Sequence, residues 1–353
     1  SDENGDATSE DELPEVDYID NQFAESPPSP APNAIGDSFG PCGELFVDNG
    51  LNMYSVAICP GGGRYKATHN TSAVPQSRFY YNFYGISNAV KADLNGNSRS
   101  YDVQRHEAGY EYAFNCDLMS IQLNVPLTNT IDSTIVQDTF DSLPREAELG
   151  NVSLAFKAVA YQSCYTTFCF GLGVDAPTAD DIIIRDTESQ FFLNNESVVV
   201  SPYIGWLSEL SPNVFMQGFI QGSIPVNSST ARFDFLATKD CFMYNVRGPS
   251  LLHVDLSLGA WMHRNQFTGN GVALLGELHY TTSLSESMAI NVVNPGPQTV
   301  DFLNPRRDIV NSTLGVTSHY NAWQTTFAYV TPLTSGSDRL FDGELIFQVN
   351  RLF

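Results

Sequence analysis

The length, composition and charge of the chain exclude several classes of protein. Its 353 residues include 40 Asp and Glu but only 17 Lys and Arg, and the net charge of -23 disfavours binding to nucleic acid, whose phosphates attract clustered basic side chains. Charged residues make up 16% and aromatic residues 12%, and Gly and Pro are frequent, as in chains with many strands separated by turns. No stretch approaches the ~20 consecutive apolar residues of a transmembrane helix, although a membrane β-barrel escapes that test because its apolar positions alternate.

The chain begins with an acidic, proline-rich leader. Ten carboxylates lie between Asp2 and Glu25, no Lys or Arg precedes Arg64, and residues 26–32 have the sequence SPPSPAP. Such a segment buries too little apolar surface to fold, so we expect residues 1–36 to be disordered. The leader serves either to keep the chain soluble or to reach a periplasmic partner. Its opening sequence resembles a mature terminus left after removal of a signal peptide, which predicts export.

The cysteines also favour export. They form neither a CxxC pair nor a Cys/His group with zinc spacing, so disulfides in an oxidising compartment explain them better, and we expect no metal and no cofactor. Cys42 and Cys59 bracket a loop short enough to close locally, while the other pairings stay open. The six cysteines are Cys42, Cys59, Cys116, Cys164, Cys169 and Cys241.

From Arg78 onward, apolar and polar residues alternate with a period of two, in runs separated by turn residues. About twelve such runs occur, and most reach the ~9 to 11 residues that a tilted strand needs to cross a bilayer. The runs are residues 78–87, 101–114, 117–126, 150–162, 164–174, 196–208, 213–225, 250–263, 271–283, 308–319, 322–332 and 341–353.

The connections and faces of these runs favour a membrane barrel over a soluble secreted β-sandwich, which is the other all-β alternative. Short and long connections alternate, as they do between the periplasmic turns and external loops of outer-membrane barrels. In several runs the polar register is dominated by Ser, Asn, Gln and Gly with scattered charges, which suits a wet lumen. We predict an all-β fold, a transmembrane antiparallel up-and-down barrel of about twelve strands over residues 78–353, preceded by residues 37–77 as a plug or periplasmic segment.

The end of the chain carries a pattern for barrel assembly. Its last run, FDGELIFQVNRLF, ends on an aromatic residue and alternates before it, which resembles the C-terminal signal that the barrel-assembly machinery recognises. Arg351 departs from that signal, because an apolar residue is usual two positions before the end. The residues that carry the pattern are Leu345, Phe347, Val349 and Phe353.

Several segments resemble a planctomycete group of outer-membrane barrels that are described as porin-like or transporter-like and are distantly similar to barrels passing hydrophobic compounds. The resemblance is loose over residues 37–353 and close over the last 46 residues. It implies the fold and a bacterial outer-membrane location. It is carried by PQSRFYYNFY (75–84), LGNVSLAFKAVAY (149–161), GELHYTT (276–282) and residues 308–353.

The chain lacks the constellations of an enzyme and instead offers charged residues for a pore. It contains no GxSxG motif, and its six histidines are dispersed, so we expect no catalytic activity. Charges on the inward register tune which solutes pass a pore, and here five carboxylates oppose two fixed cations. The predicted lumen residues are Arg105, Glu107, Glu111, Lys157, Asp255, Glu277, His279 and Glu344.

Two functions fit this pattern. The first is a porin-like channel for passive diffusion of small solutes, with hydrophobic compounds as a variant. The second is a structural or surface-binding outer-membrane barrel whose lumen is blocked, either by inward charges that pair with each other or by residues 37–77. Lipid and the assembly machinery are the expected partners, and self-association into a homo-oligomer stays open.

Overall fold

The computed structural model describes residues 31–37, 43–48, 53–58, 63–94, 97–129, 134–136, 147–185, 189–236, 239–265, 267–285, 299–303 and 306–353. These residues are almost entirely in strands and turns, with one short 3-10 turn at Gly336–Asp338. The strands, in chain order, are β1 Gly43–Asp48, β2 Met53–Ile58, β3 Arg78–Leu94, β4 Asn97–Phe114, β5 Met119–Asn129, β6 Thr134–Val136, β7 Ala147–Leu149, β8 Ser153–Gln162, β9 Thr166–Asp175, β10 Ile182–Arg185, β11 Ser189–Leu193, β12 Val199–Ser211, β13 Val214–Pro225, β14 Ser229–Phe235, β15 Cys241–Val246, β16 Leu251–Arg264, β17 Gly271–Ser283, β18 Thr299–Leu303, β19 Asp308–Tyr320, β20 Trp323–Pro332 and β21 Gly343–Leu352.

Twelve long strands close into one antiparallel barrel. Each barrel strand pairs with the next barrel strand along the chain, in the order β3, β4, β5, β8, β9, β12, β13, β16, β17, β19, β20, β21. The last strand then pairs with the first, with Phe347 opposite Phe83, so the sheet has no free edge around the barrel. The predicted twelve-stranded up-and-down barrel is confirmed.

The outside of the barrel is apolar because each strand turns alternate residues outward. In β9, Phe168, Phe170 and Leu172 are exposed, while the residues between them are covered. This is the pattern that a lipid environment demands, since lipid offers no hydrogen-bond partners to polar side chains. Other exposed members of this belt are Leu123, Leu154, Ile204, Ile220, Leu256, Leu258, Leu274, Leu278, Leu314, Val316, Phe327, Tyr329 and Leu345.

The two ends of the barrel differ in their connections. At one end, here called the short-turn end, residues 115–118, 163–165, 212–213, 265–270 and 321–322 link neighbouring strands. The other end is called the long-loop end. The break predicted between the runs 78–87 and 101–114 is wrong there, because β3 extends to Leu94 and pairs with β4, which begins at Asn97. No helix among the described residues is long and apolar enough to span a membrane.

Three long loops fold together into a second sheet at the long-loop end. Its five strands run in the order β15, β14, β11, β10, β6, and only the β6–β10 pair is parallel. A small apolar core holds the sheet together, with Phe191 against Phe233 at 4.6 Å between ring centroids. Sequence patterning did not predict this sheet, because its strands are short and pair with one another rather than with the barrel.

A plug fills the barrel. We use this name for residues 31–37 and 63–77, which run antiparallel to each other through the lumen and are bridged where the Ala34 N–H donates to the Thr71 carbonyl at 2.8 Å. Between these stretches, the β1–β2 hairpin pairs with β3 and β18 at the long-loop end. Residues 31–36, predicted to belong to the leader, are instead buried.

The plug extends along the length of the lumen. Near the long-loop end, Arg64 donates to the Pro249 carbonyl at 2.7 Å, and at the short-turn end the Ser77 carbonyl accepts from Phe353 N–H at 3.1 Å. Plug residues contact strands all around the circumference, including β3, β8, β9, β13, β16, β17, β19 and β21. A segment with partners on every side must lie inside the barrel.

The disulfide prediction fails for the described cysteines. Cys116 and Cys241 are exposed and free, Cys169 is buried and free, and Cys164 is exposed. The Cys169 sulfur packs on the barrel wall, where a Cβ added at Gly205 would lie only 2.9 Å from it, so this residue fills space instead of forming a bridge. Cys42 and Cys59 lie outside the described residues.

Candidate functional site

The candidate site is the lumen, where the strands bring together the charged residues predicted from the sequence. All eight are at most 4% exposed: Arg105, Glu107, Glu111, Lys157, Asp255, Glu277, His279 and Glu344. Sequence reasoning missed Arg78 and Asp175, which are also buried there. Both lie at the very end of a strand, where alternation gives the weakest signal.

On the β3–β4–β8 side, buried charges pair within the barrel wall. The Glu111 carboxylate accepts from Arg78 Nε at 2.8 Å and contacts Lys157 Nζ at 2.9 Å, and Ser120 Oγ donates to it at 2.8 Å. Arg105 forms an ion pair with Glu107. Because each of these charges has a partner on the wall, this side is electrostatically complete without the plug.

On the opposite side, the wall charges meet the plug. Lys66 inserts its ammonium group between the carboxylates of Asp37, also in the plug, and Asp255, at 2.9 Å. His279 lies beside them, with Nδ1 2.8 Å from Asp255 and Nε2 3.3 Å from Glu277. The five ionisable groups of this cluster, two from the plug and three from the wall, therefore hold the plug and the wall together.

The plug ion pair is strong because both of its members are ionised despite burial. Burial alone raises the pKa of the Asp37 carboxyl, yet the neighbouring Lys66 ammonium outweighs it and holds that pKa well below its usual value. Burial likewise lowers the pKa of Lys66, but the carboxylates of Asp255 and Asp37 raise it above its ordinary value. Removing Lys66 would leave the carboxylates of Asp37 and Asp255 buried without the ammonium group between them, which costs roughly 3 to 5 kcal/mol.

The backbone of the plug forms hydrogen bonds with side chains of the wall, where a strand in a sheet would bond to the backbone of its neighbour. The Glu277 carboxylate accepts the N–H groups of Ile35 at 2.9 Å and Gly36 at 2.8 Å. Gln221 accepts from Ala67 N–H at 2.6 Å and donates to the Tyr65 carbonyl at 2.7 Å. In the same way, Asp175 accepts from Tyr65 N–H, and the side-chain amides of Gln348 and Gln217 donate to the carbonyls of Ile35 and Pro32.

The plug fits closely where the wall offers glycine. A Cβ added at Gly173 would lie 2.4 Å from the Tyr65 ring, so only glycine lets that ring approach the wall. Within the plug, Gly36 has φ +82, a backbone conformation that favours glycine, and this places it against His69. Tyr65 therefore fills the lumen at a position that a larger wall residue would block, and His69 packs against Gly36 within the plug.

The seam between plug and wall is polar and incompletely paired. Among the described residues, several buried polar atoms there have no protein partner, including Gln217 Oε1, Ser257 Oγ and His253 Nε2. Buried polar groups in proteins are normally hydrogen-bonded, to ordered water where no protein group is near. The plug is thus attached through a seam that suits water, unlike the interior of a dry hydrophobic core.

One group of residues in this seam has metal-ligating chemistry. Asp37, Asp255 and His279 place potential ligand atoms within 4.8 Å of one another. The Lys66 ammonium, however, already contacts both carboxylates and supplies the positive charge that a metal would supply. This arrangement fits an ammonium group better than a metal ion.

The predicted assembly residues lie on the outer register of β21. Leu345 and Phe353 are exposed, and Phe347 and Val349 are half-buried. Phe353 packs near Phe79 and Tyr110, with ring centroids 5.5 and 6.0 Å away. Arg351, the departure from the usual pattern, places its guanidinium over the Trp323 ring at 5.6 Å. Recognition of these residues by the assembly machinery stays a prediction.

No known protein family matches the sequence, and no curated protein does. Among solved structures, the chain is similar to an outer membrane channel from Pseudomonas putida F1, with 12% identity and a TM-score of 0.48 over 79% of this chain and 96% of that one. It is also similar to the translocator domain of the autotransporter NalP from Neisseria meningitidis, with 10% identity, a TM-score of 0.44 and coverage of 81% and 90%. A third similar structure is the Pseudomonas putida toluene transporter TodX, with 9% identity, a TM-score of 0.40 and coverage of 78% of this chain and 87% of that one. Membership of the planctomycete group stays a prediction.

Proposed function

We propose that this chain is a non-enzymatic outer-membrane channel for passive diffusion of small polar solutes, and that the plug closes it in the conformation described here. The observation that carries the proposal is the attachment of a separate chain segment to a polar lumen wall by side-chain hydrogen bonds. The closed ring of twelve strands needs no plug to complete its own backbone pairing.

The outer surface supports the membrane location. An apolar belt surrounds a barrel whose strands satisfy their backbone groups by pairing, which is how a sheet can exist in lipid. In bacterial barrels the short turns face the periplasm and the long loops face outward. With that orientation, the five-stranded sheet lies on the cell surface and Ser77 lies at the periplasmic end.

The character of the lumen supports polar solutes over hydrophobic compounds. The residues that β13 turns inward include Gln217, Gln221 and Ser223, all nearly inaccessible behind the plug. The same strand also turns Phe215 and Phe219 inward, but the amides and hydroxyls between and beyond them offer hydrogen bonds to a polar solute or to its water. A hydrophobic compound would leave these polar groups unpaired.

The plug can leave such a wall at moderate cost. A typical intramolecular hydrogen bond contributes only about 0.5 to 1.5 kcal/mol net, because water replaces the lost partner. The contacts of Gln217, Gln221 and Gln348 with the plug backbone are of this kind. The Lys66 ion pair is stronger than any one of these hydrogen bonds.

A structural or surface-binding barrel is the second candidate. The filled lumen favours it, since the plug contacts the wall along its whole length, and so does the folded sheet at the long-loop end. The two candidates differ in one measurable property, which is whether displacement of the plug lets ions through.

A reversible disulfide between plug and wall tests the proposal. In the double variant Tyr65→Cys/Gly173→Cys, removal of the Tyr65 ring makes room for a side chain at residue 173, where a Cβ would lie 3.2 Å from the present Tyr65 Cγ. The two sulfur atoms then come within bonding range. We expect single-channel openings in planar bilayers from the reduced protein and none after oxidation.

The matched control joins two wall strands and leaves the plug free. Thr317 and Thr326 are paired across β19 and β20, with their hydroxyls 2.9 Å apart. The oxidised Thr317→Cys/Thr326→Cys protein should conduct like its reduced form. If the wild type and both reduced variants fold as barrels but show no channel openings, the channel is rejected and the structural barrel is favoured.

A further inference from the structure

The lumen wall is divided into two electrostatically different sides. Among the described residues, its barrel strands bury six carboxylates and three fixed cations. All three cations, Arg78, Arg105 and Lys157, lie on the β3–β4–β8 side and form ion pairs with Glu111 and Glu107. The β9–β16–β17 side carries Asp175, Asp255 and Glu277, and the sixth carboxylate, Glu344, lies on β21.

These three carboxylates obtain much of their stabilisation from the plug. Asp175 accepts from Tyr65 N–H at 3.1 Å, Asp255 contacts Lys66 Nζ at 2.9 Å, and Glu277 accepts from two plug N–H groups. On the wall itself their partners are Ser153 for Asp175, at 2.6 Å, and His279 for the other two. When the plug leaves, this side of the lumen therefore becomes negative.

We infer that the open lumen selects cationic solutes that carry a primary ammonium group, and that Lys66 occupies their binding position when the channel is closed. The inference rests on the proposed channel function and specifies its substrate class. Lys66 acts as an internal competitor, because the same wall carboxylate that holds its ammonium faces the open lumen after the plug has left.

The surroundings of Lys66 suit a group that only donates hydrogen bonds. An ammonium has three donors and no acceptor. Next to it, Asp255, Glu277 and His279 line a narrow cleft between the plug and the wall. Gln217 Oε1 and Ser257 Oγ belong to the same lining, are buried, and have no protein partner among the described residues. These two oxygens add acceptors that Lys66 does not use.

Chemical rescue tests the ammonium position. Lys66→Ala deletes the equivalent of n-propylammonium, so that amine should restore the missing contacts and raise the unfolding temperature of the variant. Propionate and tetramethylammonium at the same ionic strength should not. Lys66→Met keeps the space filled, so it should not respond to propylammonium. This second variant keeps the test valid even if Lys66→Ala folds only when propylammonium is present.

Arg64→Ala serves as a matched control. It also removes a cation from the plug, but Arg64 donates to the Pro249 carbonyl near the long-loop end and lies beside Asp175, not between Asp37 and Asp255. An equal response of Lys66→Ala to propylammonium, tetramethylammonium and propionate, or an equal response of Arg64→Ala to propylammonium, would overturn the ammonium site.

Selectivity is measured from the reversal potential of the reduced Tyr65→Cys/Gly173→Cys channel in a KCl gradient. We expect preference for the cation, and a shift towards zero when Asp255→Asn and Glu277→Gln are added. Asp234→Asn removes a carboxylate from the outer sheet, where it pairs with Arg232, and should leave the potential unchanged. Conduction without cation preference would overturn this inference and keep the channel, whereas amine rescue without any conduction would keep the ammonium site and reject the channel.

Discussion

At the residue scale, His69 connects the two stretches of the plug. Its Nε2 donates to the Asp37 carbonyl, and its ring lies 5.8 Å from the ring of Tyr84 on the wall. Burial lowers the pKa of His69 below its ordinary value, and Arg105 and Lys66 lower it further against the opposing effect of Glu107. The docked plug therefore favours the neutral imidazole.

This preference for the neutral form predicts that acidification opens the channel. A released plug exposes His69, which takes up a proton below about pH 6.5, while the docked form resists protonation. Docking consequently loses up to about 1.4 kcal/mol for each pH unit below that value until the docked group also titrates. Open probability should rise as the pH falls from 8 to 5.

The control for this prediction is His69→Gln, whose amide can still donate to the Asp37 carbonyl but does not titrate. Asp37 and Lys66 do not explain a change in this pH range, because the pKa of the first is held low and that of the second high. A pH dependence that persists unchanged in His69→Gln would show that another group is responsible.

The sequence predicted the charged lumen residues on strands but not their partners in the plug. Glu107, Glu111 and Asp255 lie within regular alternation, which sets the direction of their side chains. Lys66 and Asp37 lie in segments without any period, and their positions depend on contacts with residues such as Asp255, far away in sequence. Pattern alone carries no information about such contacts.

At the element scale, the long strands were predictable because each must satisfy two environments at once. In β17, Leu278 and Leu274 face outward while Glu277 and His279 face the plug, so the sequence alternates sharply. The shorter β10, β11, β14 and β15 build a separate sheet from loop residues. Their packing depends on neighbouring loops, and the sequence predicted these segments only as connections.

A charge on the lipid-facing register tests this assignment. Leu278 lies midway along β17, opposite Leu256 of β16, and both are exposed on the outside. Leu278→Arg should lower the free energy of unfolding in lipid vesicles by about 2 to 4 kcal/mol, while Leu210→Arg, near the short-turn end of β12, should cost about 0 to 1 kcal/mol. Equal losses in urea titrations would contradict the depth or the register of β17.

At the scale of the whole molecule, one chain supplies both a closed barrel and the segment that closes its lumen. The sequence left residues 37–77 as either a plug or a periplasmic segment, and it placed the boundary of the leader at residue 36. The plug has no strand period because its backbone is held by separate wall side chains, among them Glu277, Gln221 and Gln348. Residues 31–36 were assigned to the leader because the proline-rich sequence at 26–32 resembles a linker.

Two truncations separate the leader from the plug. Removal of residues 1–30 should leave the unfolding temperature and the conductance unchanged, because the described contacts of the plug begin at residue 31. Removal of residues 1–37 takes away both N–H groups that Glu277 binds and the Asp37 carboxylate that pairs with Lys66. The longer truncation also leaves Lys66 with Asp255 alone and opens space beside the remaining plug stretch.

We therefore expect the longer truncation to lower the unfolding temperature and to raise the frequency of channel openings, while the shorter one does neither. Comparing the two proteins with each other controls for the loss of acidic leader charge, since only seven residues distinguish them. Adding Glu277→Gln to the longer truncation should cost little further, because the plug N–H groups that bind this carboxylate are already gone. Equal behaviour of the two truncations would mean that residues 31–37 do not hold the channel closed.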